Sequence, residues 1–419
     1  MKGITRIVSS LVILMSLLTC LCSCNTNEGP NESTSEVLPT WTAVGDFSIG
    51  EYYDISYEGL AFESDEYELG VRDIVFGQGY IAGLTIGYNE EIEQAEQRWT
   101  DNMGTAFETV LPTGLDREVC VRKKFITLFD YDANIIANID LDEVQGYSYE
   151  LPVMKIDCFN NLHVIVCNGD NETDSLTYYD LTFDSEGELL NESVLEFDQH
   201  VDIYKICYDE SGNLYALVSS KDSAEPWLYK FDNEGLVVSN ILIEGYFAQD
   251  VISVAGSAYL IGRVYDSEAR GYSVYMIPIE DAIAGNVNNG TLLPVEFTEV
   301  SEIVTTLDGT GLLFSNNPVI YAYDIETNEL IETLNVSSSN SPYYCYYFGV
   351  RENGEIVYAG TDSLSTDWYL IEAIPTDVDP YEGREVITLA GVGLEDPIVQ
   401  NMVWNFNLNN DEYYIEMVD

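Results

Sequence analysis

A chain of 419 residues with 73 acidic against 16 basic side chains, a formal charge of −57, repels phosphate backbones and anionic bilayer surfaces alike. Nucleic-acid binding and peripheral membrane adsorption are therefore excluded. The acidity is not that of a disordered tail, because 46% of the residues are hydrophobic and 31 are tyrosine, enough to build a core.

At the N-terminus Lys2 and Arg6 precede an apolar stretch from Ile7 to Leu21. This matches the charged and apolar regions of an export signal and is short for a membrane span. The stretch ends in Leu21-Cys22-Ser23-Cys24, which resembles the lipobox of bacterial lipoproteins, where the cysteine is diacylated and becomes the new N-terminus. The resemblance implies lipid attachment at Cys24, export, and a lipid anchor in the outer face of the cell membrane. Cys20, preceded by Leu17, is a weaker candidate, and an ordinary secretory signal is the competing reading. Residues 1–23 are thus expected to be a signal peptide and 24–40 a lipidated flexible tether, since the latter have almost nothing to bury.

Beyond these, Cys120, Cys158, Cys167, Cys207 and Cys345 are too widely spaced for metal-ligand pairs or a disulfide framework. Cys158 and Cys167 can face each other across a turn at Asn160-Asn161, and small buried thiols are the alternative.

From about residue 70 to 375 a unit recurs, in which a strand, a tight polar turn and a second strand are followed by a looser connection. The turns Asp184-Ser185-Glu186-Gly187, Asp209-Glu210-Ser211-Gly212, Asp232-Asn233-Glu234-Gly235, Asp308-Gly309-Thr310-Gly311 and Glu352-Asn353-Gly354 mark the register. Asp or Asn opens each turn and Gly takes the positive-φ position. The strands are apolar on both faces, as in Leu214-Tyr215-Ala216-Leu217-Val218, so each sheet lies between others. Units near 71–140, 153–197, 201–243, 247–296, 299–335 and 343–375 are mostly of the length of a four-stranded blade. The expected fold is therefore all-β: a β-propeller of about six or seven blades over 41–378, with the segment from Trp41 to Tyr57 pairing into the last blade to close the ring. A β-sandwich is the alternative. Within the first unit, Glu91 to Phe107 places Ile92, Ala95, Trp99 and Met103 at helical spacing and predicts an inserted helix.

The chain then changes character. Val386 to Gly391 reads as a buried parallel strand. Asp396-Pro397 starts a helix with Ile398, Val399, Met402, Val403 and Phe406 on one face, and Tyr413 to Val418 begins another strand. The series Ile387 to Gly391, Val403 to Asn407, Asn410 and Tyr414-Ile415-Glu416 resembles the opening strand-helix-strand of family 1 extracellular solute-binding proteins, the lipoprotein receptors of ATP-binding-cassette importers. Residues 384–419 are accordingly expected to be a short incomplete α/β segment, the beginning of such a domain. The resemblance implies carbohydrate or peptide uptake with an ABC permease as partner, the propeller being an accessory binding or spacer module. It carries over no ligand-binding residue, because the family's site lies between two lobes that residues 384–419 do not include.

No catalytic constellation is read. His163 and His200 are the only histidines, and His163 within Leu162-His163-Val164-Ile165 is expected to be a satisfied strand residue. Neither a phosphate loop, a nucleophile elbow nor a zinc motif is present, and Gly77-Gln78-Gly79 fits a hairpin turn. Asp184 to Glu188 offers oxygen ligands for calcium, but a solvated turn accounts for it more simply. Arg72, Arg122, Arg263 and Arg351 are spread over three of the units, and the turns lack the form of a sialidase's. The chain is accordingly read as a non-enzymatic cell-surface lipoprotein without cofactor or metal. A free-standing propeller binding a surface protein or polysaccharide is the first alternative and a propeller glycoside hydrolase the second. Trp99, Trp227, Trp368 and the run from Tyr343 to Tyr347 are the candidate sugar-binding aromatics, with core packing as the competing role.

Overall fold

The computed structural model describes residues 52–418 apart from 63–67, 89–122, 146–150, 171–174, 198–199, 221–222, 244–246, 267–270, 287–288, 295–301, 306–310, 317–318, 326, 336–343, 352–354, 362–366, 377–378, 380 and 392–396. Cys24, the helix expected over 91–107, Trp99, Cys120, Arg122, Tyr343 and the turns at 308–310 and 352–354 lie outside the described residues.

The chain after the first strand builds antiparallel sheets in succession, as tight turns between short apolar strands dictate. Blade 1 is β2 (Glu68–Phe76), β3 (Ile81–Tyr88), β4 (Lys123–Phe129) and β5 (Ile135–Asp140), followed by the short helix α1 (Leu141–Gln145). Blade 2 is β6 (Val153–Ile156), β7 (Leu162–Asp170), β8 (Ser175–Phe183) and β9 (Leu189–Leu195). Blade 3 is β10 (Val201–Tyr208), β11 (Leu214–Ser220), β12 (Ser223–Phe231) and β13 (Val237–Leu242). Blade 4 is β14 (Phe247–Val254), β15 (Ser257–Asp266), β16 (Gly271–Pro278) and β17 (Thr291–Leu292), with helix α2 (Ile279–Ile283) between its last two strands. Blade 5 is β18 (Glu302–Thr305), β19 (Gly311–Asn316), β20 (Val319–Asp324) and β21 (Glu329–Asn335). Blade 6 is β22 (Tyr344–Val350), β23 (Ile356–Thr361) and β24 (Trp368–Thr376), and its fourth strand is β1 (Tyr52–Leu60).

The first strand of each blade touches the first strand of the next, and β22 returns to β2. The protein is therefore a six-bladed β-propeller. Its ring is closed by β1, which runs antiparallel to β24 with Tyr52 opposite Thr376 and Leu60 opposite Trp368. The closing pairing expected from the segment Trp41 to Tyr57 is present from Tyr52 on, and residues 41–51 lie outside the described residues.

Each of the six blade interfaces holds its own core. Leu84, Ile126 and Leu128 meet Met154, Val164 and Leu181 between blades 1 and 2. Between blades 5 and 6, Leu313, Ile320 and Ala322 meet Phe348, Tyr358 and Ile371. Leu214 to Val218 are buried on both faces of β11 because neighbouring blades cover each side. The closing interface is closely packed, since a Cβ built on Gly349 of β22 would lie 2.5 Å from the Cβ of Phe76 in β2.

A separate parallel pair follows, β25 (Glu385–Ala390) and β26 (Tyr413–Val418), joined by helix α3 (Pro397–Asn409). Here the expectation of a buried strand needs correction, because β25 is exposed at all six positions. Helix α3 packs on β26, burying Val403, and leaves Val386, Ile387 and Met402 at 51%, 43% and 68% exposure. One helix cannot cover two strands on both faces.

Candidate functional site

Strand direction divides the propeller into two ends. The inner strands run from a mouth end toward a turn end that holds the loops joining first to second and third to fourth strands. At the turn end five loops repeat one geometry, opened by Asp130, Asp157, Asp184, Asp209 and Asp232. In each, the Asp N–H donates to the carbonyl four residues on, and the N–H three residues on returns to the Asp carbonyl. One oxygen of the Asp carboxylate accepts the N–H groups two and four residues on, at 2.8–3.0 Å. The fourth residue sits at positive φ, supplied by Gly187, Gly212 and Gly235 but by Ala133 and Asn160 in the other two. In the calcium candidate the Asp184 carboxylate is thus already occupied by the N–H groups of Glu186 and Glu188. Among the described residues no group of three or more His, Cys, Asp or Glu is arranged to hold a metal.

Also at this end, His163 is buried between two carboxylates. Its Nδ1 lies 3.0 Å from Asp180 Oδ1 and its Nε2 3.2 Å from Asp157 Oδ2. Its ring stacks on Tyr208 of the next blade at 3.8 Å, and the Tyr208 hydroxyl donates to Asp180 at 2.9 Å. Burial opposes a charge on the imidazole, but hydrogen bonds to Asp157 and Asp180 outweigh it and push the pKa up to about 9. The same contact with His163 holds Asp157 below the usual carboxylate range despite its burial. His163 is therefore a cationic staple between blades 2 and 3, fully engaged, as the alternating strand pattern led us to expect.

The inner strands carry a second constellation. Four of them have a β-bulge in their mouth half, at Arg72, Tyr204, Gln249 and Tyr346. Bulges re-aim the following side chains, and the residues that follow are Asp73, Lys205, Asp250 and Tyr347. Lys205 Nζ lies 3.5 Å from Asp250 Oδ2, joining blades 3 and 4. Asp73 of blade 1 is within electrostatic reach of Lys205 and of Lys155 from blade 2. Blades 1 and 3 are not neighbours in the ring, so these groups meet across its axis. Burial raises Asp73 to about 6 against the pull of the two lysines.

Aromatic rings gather at the mouth. On blade 4 the Arg263 guanidinium lies over Phe247 and Tyr272 at 5.6 and 4.7 Å, and Tyr265 meets Tyr272 at 5.2 Å. On blade 6 Trp368 packs against Tyr346 and Tyr347 at 5.5 and 6.0 Å, and Tyr347 donates to the Arg72 carbonyl of blade 1 at 2.8 Å. Phe247, Tyr265 and Tyr346 are each about half exposed, at 55%, 53% and 49%.

No family model and no curated protein matches the chain. Among solved structures it is similar to the β-propeller domain of the trilobed protease from Pyrococcus furiosus, at 11% identity and a TM-score of 0.39, over 74% of this chain and 83% of that one. It is also similar to the Pan2 WD40 domain of Neurospora crassa, at 10% and 0.42, over 77% and 97%. A protein of unknown function from Bacteroides caccae is similar at 12% and 0.34, over 57% and 80%. These likenesses concern architecture and transfer no activity.

Of the sequence candidates, Trp368, Tyr346 and Tyr347 come together at the mouth, whereas Trp227 packs against the core between blades 2 and 3. The arginines do not converge. Arg351 is held at the turn end by Glu372, Glu355 and the Tyr131 ring, while Arg263 stacks at the mouth of blade 4. Cys158, Cys167 and Cys207 form no disulfide. In the C-terminal unit the residues of the solute-binding resemblance act within the strand-helix-strand. The Asn407 side chain accepts from the Ile415 N–H at 2.6 Å and donates to its carbonyl at 3.0 Å, and Asn410 accepts the N–H groups of Glu412 and Tyr413.

Proposed function

We propose that the protein is an exported lipoprotein, anchored through Cys24, whose propeller presents a ligand-binding mouth at the cell surface. We further propose that the α/β unit from Glu385 opens a solute-binding domain of an importer receptor. The observation that carries the reading is the pairing of Tyr52 with Thr376. It brings the N-terminal entry and the C-terminal exit of the propeller side by side at the turn end. Residues 52 and 376 thus meet at one end of the propeller, and the aromatic mouth lies at the opposite end. The acidic turns at the entry end also fit a domain held off an anionic membrane.

The test is metabolic labelling of producing cells with a palmitate analogue, comparing the native chain with Cys24→Ser. Label on the native chain alone, with membrane retention lost in the variant, supports anchoring. Equal labelling of both, or of neither, removes it. Reading the gene past the codon for Asp419 tests the receptor half, because a two-lobed solute-binding sequence or adjacent permease genes are expected there. The second reading, a free-standing surface-binding propeller, is supported by the half-exposed Tyr346 and Phe247, and it stands if that locus holds neither.

A further inference from the structure

Three successive blades carry the same apolar feature on their outermost strands. β5, β9 and β13 each lie at the edge of their sheet, and each has a β-bulge beside the Asp-headed turn that opens it. In blade 1 Phe129 pairs with Ile135 and Leu128 with Ala137, which leaves Ile136 as the extra residue. In blade 2 the extra residue is Leu190, between the partners of Phe183 and Thr182, and in blade 3 it is Val238, between those of Phe231 and Lys230. A bulge takes its extra residue out of the ladder. All three are aliphatic and exposed, at 40%, 56% and 57%, and Ile135, Leu189, Val194, Leu236 and Val237 beside them are exposed as well.

The turn of each following blade abuts the outer strand of the one before, which makes the feature continuous. A Cβ built on Gly187 would lie 2.8 Å from the Ala137 Cβ of β5, and one built on Gly235 would lie 2.5 Å from the Val194 carbonyl oxygen of β9. Blades 4 and 5 do not extend it, because β17 is two residues long and β21 opens on Glu329 in regular register with Asp324.

Folding does not require these side chains. Val and Ile suit a strand backbone, but Leu189, Leu190 and Leu236 have no such preference, and an exposed apolar edge is an aggregation hazard that polar residues would remove. The surroundings are of one sign. Residues 130–140, 184–195 and 232–242 contain nine acidic residues and no basic one, and Asp132, Glu186, Glu188, Glu192 and Glu234 are exposed beside the aliphatics. A second copy of this chain would bring the same acidic rim and be repelled.

We propose that the outer rim of blades 1 to 3 docks a partner protein through an amphipathic helix whose apolar face is bordered by Lys and Arg. The aliphatic side chains of the helix cover Ile136, Leu190 and Val238, and its basic residues meet the carboxylates of Glu186, Glu192 and Glu234. A helix fits better than an added strand, because the bulges interrupt the ladder that such a strand would have to extend. The surface is distinct from the aromatic mouth and independent of the lipid anchor and of the C-terminal resemblance.

The experiment is fluorescence anisotropy of a labelled Leu-Lys peptide of helical period titrated with the full chain at about 0.15 M salt, where charges more than about 8 Å apart are screened. The native chain is expected to bind this peptide at least about tenfold more tightly than a shuffled peptide of the same composition, and than a Leu-Glu peptide of the same period. Ile136→Ser, Leu190→Ser and Val238→Ser together are expected to weaken binding about tenfold or more with an unchanged melting temperature, and Tyr346→Ala to bind like the native chain. Equal binding of the shuffled or the Leu-Glu peptide, or a triple variant that binds as the native chain does, would overturn the proposal. The peptide comparisons use the native chain and stand whatever the stability of the variant. A native-chain dimer in sedimentation that the triple variant does not form would also overturn it, because the rim would then serve a second copy.

Discussion

Raising the pH above neutrality strips the proton that His163 shares with Asp157 and Asp180, and the staple between blades 2 and 3 is lost with it. An imidazole free in the unfolded chain titrates near 6.5, whereas in the folded protein it titrates near 9. The folded state thus binds the proton more tightly. Its contribution is fully present below 6.5 and disappears as the pH rises through 9. That gap, at about 1.4 kcal/mol for each pH unit, amounts to about 3 kcal/mol, a large part of the stability of an ordinary domain. Asp73, raised to about 6, titrates at the lower edge of this window, and the Cys158 thiol, pushed up to about 11 by burial and by Asp157, ionises first in the unfolded chain near its upper edge, so the histidine is isolated by comparing the native chain with a variant that lacks it. Urea unfolding followed by tryptophan fluorescence, repeated across this window, is expected to show a midpoint that falls more steeply for the native chain than for His163→Gln. That variant is also expected to be several kcal/mol less stable near pH 6, because two buried carboxylates lose their cation. Parallel curves for the two chains would refute the assignment of the charge to His163.

Four further outcomes follow from particular contacts. Tyr208→Phe removes the hydroxyl that donates to Asp180 and is expected to cost about 1.5–3 kcal/mol in unfolding free energy, without changing the slope with pH. Gly349→Ala forces β22 away from Phe76 at the closing interface and is expected to cost about 1–3 kcal/mol and to speed proteolysis of β1, read by limited digestion. Gly187→Ala places a Cβ at φ +87° and 2.8 Å from Ala137, a cost of about 1 kcal/mol or more, so its melting temperature is expected to fall by at least about 1–2 °C. In hydrogen exchange the amides of β25 are expected to exchange long before those of the inner strands; protection equal to that of β11 would show that its exposed faces are covered.

The propeller was legible in the sequence where local chemistry dictates geometry. Asp-x-x-Gly turns and strands apolar on both faces are enough to give the repeat, its length and the layering of sheets. Two of the five repeated turns escaped this signature, because Ala133 and Asn160 occupy the positive-φ position that Gly fills elsewhere, and only the Asp at their head announces them. The axial cluster could not be read at all. Asp73, Lys155, Lys205 and Asp250 are far apart in the chain, and what brings them together is the closure of the ring together with bulges that no residue pattern marks. The exposure of β25 escaped for the opposite reason. Its composition is that of a buried parallel strand, but burial depends on neighbours, and α3 covers only β26.

The two ends of the ring carry different chemistry, and the path of the chain explains the division. Tyr52 and Thr376 meet at the turn end, where Asp-headed loops satisfy their own backbone and His163 cross-links two blades. At the mouth end the half-exposed Tyr346 and Phe247 present rings, with Arg263 stacked on Phe247 and Trp368 packed against Tyr346. Substitutions at the mouth are therefore expected to alter capture with little effect on folding, and substitutions at the turn end to alter folding first. A set of mouth variants that lowered the melting temperature as much as His163→Gln would show that this division of labour is mistaken.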